Sequence, residues 1–134
     1  MKQVLVILVA LLGLANAQFS GLVIDARGLA LEQHMAPNIV SQDGSMVYPV
    51  GFELDYNLVN DLGTAGLYRQ FDQALRDTAR VGSNPLIVRA IGLTQPRALG
   101  VVVSVEDATR IRSSFTRSDA LQRLKVIIVS DKMR

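Results

Sequence analysis

One histidine (His34), twelve carboxylates and no cysteine make up the metal-ligating and acid–base inventory of this 134-residue chain. A zinc site asks for three or four Cys, His or carboxylate ligands at suitable spacing, so a histidine-rich or thiolate site is excluded. A serine-hydrolase triad would have to use His34, and no G-x-S-x-G elbow accompanies it. His34 falls in Leu29 to Pro37, a loop-like stretch where a solvated or locally hydrogen-bonded imidazole is expected. Glu53 and Asp55 stand two apart, which on a strand places both on one face; as the polar face of an amphipathic strand they are explained by solvation. Glu106 and Asp107 fit the first turn of a helix, where negative charge suits the dipole. Asp25 is less ordinary. It follows Leu22-Val23-Ile24 and precedes Arg27, so a carboxylate and a guanidinium meet at a strand end, as a turn-forming ion pair or as a ligand contact.

Phosphate and nucleic-acid chemistry find little support. Gly63, Gly66 and Gly82 form neither G-x-x-x-x-G-K-[ST] nor G-x-G-x-x-G. Aromatic residues are 5% of the chain and do not interleave with a basic stripe, which argues against single-stranded nucleic acid. The net charge of +2 gives no case for duplex nucleic acid or anionic lipid. Eleven of the fourteen basic residues are arginine, a side chain suited to bidentate ion pairs and protein contacts. No enzyme activity, cofactor or metal is expected.

The elements that would position these residues begin after a leader. Lys2, the apolar run Val4 to Leu14 and the small residues Ala15-Asn16-Ala17 have the three-part layout of a secretory signal peptide. Cleavage after Ala17 would leave residues 18–134, long enough for one domain with a real core. The apolar run is too short to span a bilayer, so no transmembrane anchor is expected after cleavage. With no cysteine there is neither a disulfide staple nor a site of lipid attachment. The expected location is the periplasm or the secreted medium.

Phe19 to Ala26 reads as a strand closed by the turn at Arg27-Gly28. Asp43-Gly44 lies between Ile39-Val40 and Met46-Val47, which predicts a hairpin with a two-residue type I′ turn, Val40 facing Val47 and Ile39 facing Tyr48. Phe52, Leu54 and Tyr56 alternate with polar residues as in a half-buried strand. From Ala65 to Val81 the period changes to that of a helix, with Leu67, Phe71, Ala74, Leu75 and Thr78 on one face and an Asp72–Arg76 pair at i, i+4. Leu86 to Ile91 is a strand, Gly92 to Gly100 a turn region, and Val101 to Val103 a short buried strand. Ser104 with Asp107 predicts a capped helix from Val105 to about Ser113. Ser113 to Arg123 is polar and loop-like; Lys125 to Ser130, apolar on both faces, should be a central strand. The fold expected is α+β: one small domain, a mixed or antiparallel sheet of about four to six strands, with one long and one short helix on it. The expected core is Leu22, Ile24, Val40, Val47, Leu67, Phe71, Leu75, Val88, Val102, Ile111, Ile127 and Val129.

The run Gly21 to Leu29 (GLVIDARGL), followed by Pro37-Asn38-Ile39, Asp43-Gly44 and Val47-Tyr48, resembles bacterial envelope proteins. These are the small flagellar accessory lipoproteins that build basal disks and the N-terminal modules of periplasmic flagellar ring proteins. Asn84 to Ala90 (NPLIVRA) and Ser104 to Ile111 (SVEDATRI) fit the same pattern, so the resemblance covers most of the chain after the leader. It implies a small α+β domain that assembles side by side in the periplasm, with Asp25, Arg27 and Gly28 as a structural corner. The chain departs from the lipoproteins in having no cysteine after the leader. The expected function is therefore an exported, non-enzymatic envelope subunit, flagellum-associated by resemblance, whose partners are its own copies or other envelope proteins. The alternative is a soluble periplasmic binding module for a small ligand or glycan, with Asp25, Arg27 and the hairpin bearing Asp43 and Gly44 as its rim.

Overall fold

The structure is a computed structural model that describes residues 18–49 and 54–134. The expected signal peptide, residues 1–17, lies outside the described residues, as does the 50–53 part of the strand expected around Phe52.

Eight strands and four helices follow in the order β1 (Leu22–Asp25), β2 (Ile39–Ser41), β3 (Met46–Tyr48), α1 (Tyr56–Leu62), β4 (Gly66–Tyr68), α2 (Phe71–Arg76), α3 (Thr78–Val81), β5 (Leu86–Arg89), β6 (Gly92–Leu93), β7 (Val101–Val103), α4 (Val105–Ser114) and β8 (Val126–Val129). The α+β class holds, within a single small domain. The strands divide over two four-stranded sheets where one sheet was expected. The first, β4-β8-β1-β5, is parallel throughout. The second, β3-β2-β7-β6, is mixed, with β2 and β7 parallel and antiparallel strands outside them.

The apolar runs LVID and VIIV explain the first sheet. All four residues of β1 and all four of β8 are buried, as parallel strands covered on both faces must be. One face (Leu22, Ile24, Val88, Val126, Ile128) joins Ile39, Val47, Tyr48, Val101 and Val103 of the second sheet and Ala108 and Ile111 of α4 in the main core. The other face (Val23, Ile127, Val129) is covered by Ala74 and Val81, with Phe71 and Leu75 packed at the margin. Of the expected core, Val40, Leu67, Phe71, Leu75 and Val102 are half-buried and the other seven are buried.

Three local expectations are corrected. The helix over Ala65–Val81 does not form as one piece. Gly66–Tyr68 instead pairs with β8, whose second edge would otherwise leave buried backbone groups unbonded. Asp77 then breaks the remainder: its carboxylate accepts from Arg80 N at 3.1 Å as the N-cap of α3, and from the Tyr68 hydroxyl at 2.7 Å. The Asp72–Arg76 pair survives on α2, 3.7 Å apart and exposed, worth only a few tenths of a kcal/mol. The strand expected through Tyr56 is helix α1. Asp55 caps it, accepting from Asn57 N at 3.0 Å and Leu58 N at 3.3 Å, while Leu54, Leu58 and Val59 pack on the main core at helical spacing.

The hairpin is present with a different turn. Gly44 N donates to Ser41 O, Ser45 O accepts from Ser41 N, and only Gly44 has a positive φ, +90°. That is a three-residue loop ending in a left-handed glycine, not the two-residue type I′ turn. Ile39 faces Tyr48 as expected, but Val40 faces Met46, because the register shifts between Ile39 and Val40. Val47 becomes the extra residue of a bulge. The bulge lets consecutive Val47 and Tyr48 both be buried, which strict alternation forbids. Capped helix α4 forms as read, with Ser104 Oγ accepting from Asp107 N at 3.0 Å, and β8 lies inside its sheet between β4 and β1. Gly92–Leu93, within the expected turn region, adds edge strand β6.

Candidate functional site

The corner after β1 brings Asp25, Arg27 and Gly28 together at the carboxyl end of the parallel sheet. Such ends are where open α/β sheets bind ligands. The register places Asp25 beside Val129 on one side and Arg89 on the other. Leu29 N donates to Ala26 O at 3.1 Å and Gly28 has φ +90°, the geometry of a turn that requires glycine at its third position. Gly28 N donates to Asp131 Oδ1 at 2.7 Å, and the Ser130 hydroxyl to Leu29 O at 2.6 Å, so the corner is tied to the end of β8.

Asp25 is 8% exposed. Its Oδ1 accepts from Arg27 Nε at 2.9 Å and Arg27 N at 3.2 Å, and its Oδ2 from Arg27 Nη2 at 2.9 Å. The Arg27 guanidinium also lies 4.6 Å from the centre of the Phe71 ring, a cation–π distance. Hydrogen bonding from Arg27 holds the Asp25 carboxyl below the usual carboxylate range against the opposing effect of burial. The same pairing raises Arg27. A general acid needs a carboxyl shifted upward, and a ligand-binding carboxylate needs a free oxygen. Asp25 offers neither, since both of its oxygens are taken by the fork of Arg27.

Asp43 and Gly44 sit at the tip of the β2–β3 hairpin, on the other sheet. Asp43 Oδ1 accepts from Ser45 Oγ at 2.7 Å and Ser45 N at 3.0 Å, and these bonds lower its pKa. Arg112 of α4 donates to Ser45 Oγ at 2.9 Å and Met46 O at 3.2 Å, fastening the helix to the hairpin. The two groups of candidate residues are thus each engaged in their own turn. His34 is locally hydrogen-bonded: Nε2 lies 2.6 Å from Leu99 O, which can only accept, and Nδ1 receives Ala36 N at 3.3 Å. Among the described residues no group of three or more His, Cys, Asp or Glu could hold a metal.

Sequence reasoning missed two features. Arg80 donates to three carbonyls from distant segments: Leu124 O at 2.6 Å, Leu62 O at 2.8 Å and Gly63 O at 3.0 Å. The second is the β5 edge. Leu86 and Val88 are buried while Ile87 and Arg89 are exposed, and Ile87 and Ile91 are 42% and 51% exposed. The alternation Leu86-Val88-Ala90 against Ile87-Arg89-Ile91 was its available signal, for it puts two isoleucines on the solvent side.

The Asp25–Arg27 pair makes stability acid-sensitive. A carboxyl lowered in the folded state stabilises it above the unfolded value, about 3.9, and that contribution is lost as pH falls through the folded value. Asp25→Asn is expected to lower the thermal midpoint at neutral pH. The gap to the parent protein should narrow at successive steps below about pH 4; a gap independent of pH would rule out the pair as its source.

Residues 21–132 match the family model described as Treponema pallidum Tp0624, second domain. The match runs from the residue before β1 to beyond β8, taking in both sheets, the corner and the hairpin. No curated protein matches the chain.

Proposed function

The chain belongs to the family of the second domain of Treponema pallidum Tp0624, and from that premise we propose that it is an exported, non-enzymatic subunit of a bacterial envelope assembly. The observation that carries this reading is the β5 edge. β5 ends the parallel sheet and has a strand neighbour only on the β1 side, and it presents Ile87 and, just beyond it, Ile91 to solvent. An open edge flanked by exposed apolar side chains invites association with another chain. The self-contained Asp25–Arg27 pair agrees with a scaffolding part for the corner. Export rests on the leader ending at Ala17, and a flagellar association rests on the sequence resemblance alone. Among the described residues no helix is long and apolar enough to cross a membrane.

Light scattering after size exclusion, on the chain expressed in full and purified as the host processes it, tests the proposal. A discrete oligomer, or mass that grows with concentration, is the expected result. A monomer at high micromolar concentration would overturn it. The position of the corner at the carboxyl end of a parallel sheet favours one second reading, a small-ligand module. In that case the monomer would bind ligand, and Arg27→Ala would abolish binding.

A further inference from the structure

Resting on the assembly reading above, we infer that copies of this chain join head to tail, the outward side of β5 on one copy seated against α1 of the next. β5 and β4 are the two opposite edges of the parallel sheet. At the β5 edge the chain exposes Ile87, Arg89 and Ile91 at two-residue intervals, a cation between two apolar side chains. Arg89 forms no ion pair among the described residues. Asp25, its neighbour in the register, is already taken by Arg27.

α1 occupies the other edge. It ends three residues before β4, and Arg80 holds its last carbonyl and that of Gly63. It exposes Tyr56 and Leu62, 79% and 44% accessible, with exposed Asp61 beside Leu62. Asp61, too, is in no ion pair among the described residues. One edge is therefore apolar with a cation, and the opposite edge apolar with an anion.

Complementary charge selects the pairing. Two β5 edges brought face to face would oppose Arg89 to Arg89, and two α1 helices would oppose Asp61 to Asp61. β5 against α1 opposes Arg89 to Asp61 and lets the isoleucines meet Tyr56 and Leu62. Because the two surfaces differ and lie on opposite edges of one sheet, the contact is heterologous. It propagates to a closed ring or an open filament, according to the rotation between neighbours.

The test uses Arg89→Glu and Asp61→Arg, made separately in the full chain, with light scattering as readout. Neither residue caps a helix or lies in the core. Each variant alone is expected to raise the concentration for half-assembly at least tenfold. An equimolar mixture should restore assembly, because every junction between unlike copies is again complementary, and recovery in the mixture also shows that both variants are folded. If the parent protein assembles and either variant assembles equally well, the β5–α1 contact is wrong while the assembly reading stands. If Arg89→Glu alone is impaired and the mixture stops at dimers, the contact is β5 to β5 and the inference is overturned. A parent protein that stays monomeric overturns both.

Discussion

Replacing Gly21 with alanine is expected to destabilise the domain by about 3 kcal/mol or more, toward the upper end of overpacking costs. A Cβ at Gly21 would stand 2.7 Å from Val81 O, 2.8 Å from Val81 Cα and 2.9 Å from Lys125 O. All three atoms are backbone, so no rotamer change relieves the contact. The end of α3 and the entry to β8 must both move, and both are anchored. Leu22 N donates to Lys125 O at 2.9 Å, Leu86 N donates to Gly21 O at 2.9 Å, and Val81 is fully buried. Gly92→Ala is the matched control. Nothing lies within 4 Å of the position its Cβ would take, so a change within about 0.5 kcal/mol is expected. Urea denaturation of the two variants reads the difference. A Gly21→Ala midpoint equal to that of Gly92→Ala would show that the three segments are not packed this closely.

Arg80→Met should be the most damaging change to a charged residue, costing about 2–3 kcal/mol. Methionine keeps much of the apolar stem and removes the guanidinium that spans Leu124 O, Leu62 O and Gly63 O. Burial pushes the Arg80 pKa down, yet a guanidinium stays protonated throughout the neutral range, so the three bonds are charge-assisted. The Leu62 bond is exposed and water replaces it at little cost. The other two are partly buried and supply most of the effect. Lysine has one ammonium centre in place of a fork and cannot reach all three oxygens. Arg80→Lys is therefore expected to recover less than half of the loss. Full recovery by lysine in a denaturant titration would mean that charge alone, and not the fork, holds these segments.

Arg80 also shows why parts of the site were illegible. Its acceptors lie 17, 18 and 44 residues away in the chain. In the sequence it was one of several arginines on the polar face of an expected helix. Nothing local distinguishes a solvated guanidinium from one that closes three loops. The Asp25–Arg27 corner was legible because both partners and the turn glycine fall within four residues, and local hydrogen bonding alone forms it. The part of Asp131 in that corner, 103 residues from Gly28, was not.

What the sequence determined by itself is what short-range physics decides. An unbroken apolar run such as Val126 to Val129 must be buried on both faces. An Asp-Gly between apolar pairs must turn, and a serine three residues before an aspartate begins a helix. The tertiary structure alone decided the rest. Residues 66–68 have helical periodicity, yet they are a strand because β8 has a second edge whose amides must be bonded. Val40 faces Met46 because Val47 and Tyr48 must both enter the core. Ile87 and Ile91 are exposed because α2 and α3 cover the middle of the sheet and stop short of its edge. Each of these outcomes depends on which distant segment is available to satisfy a backbone group or cover an apolar one, and a local pattern of residues does not carry that information.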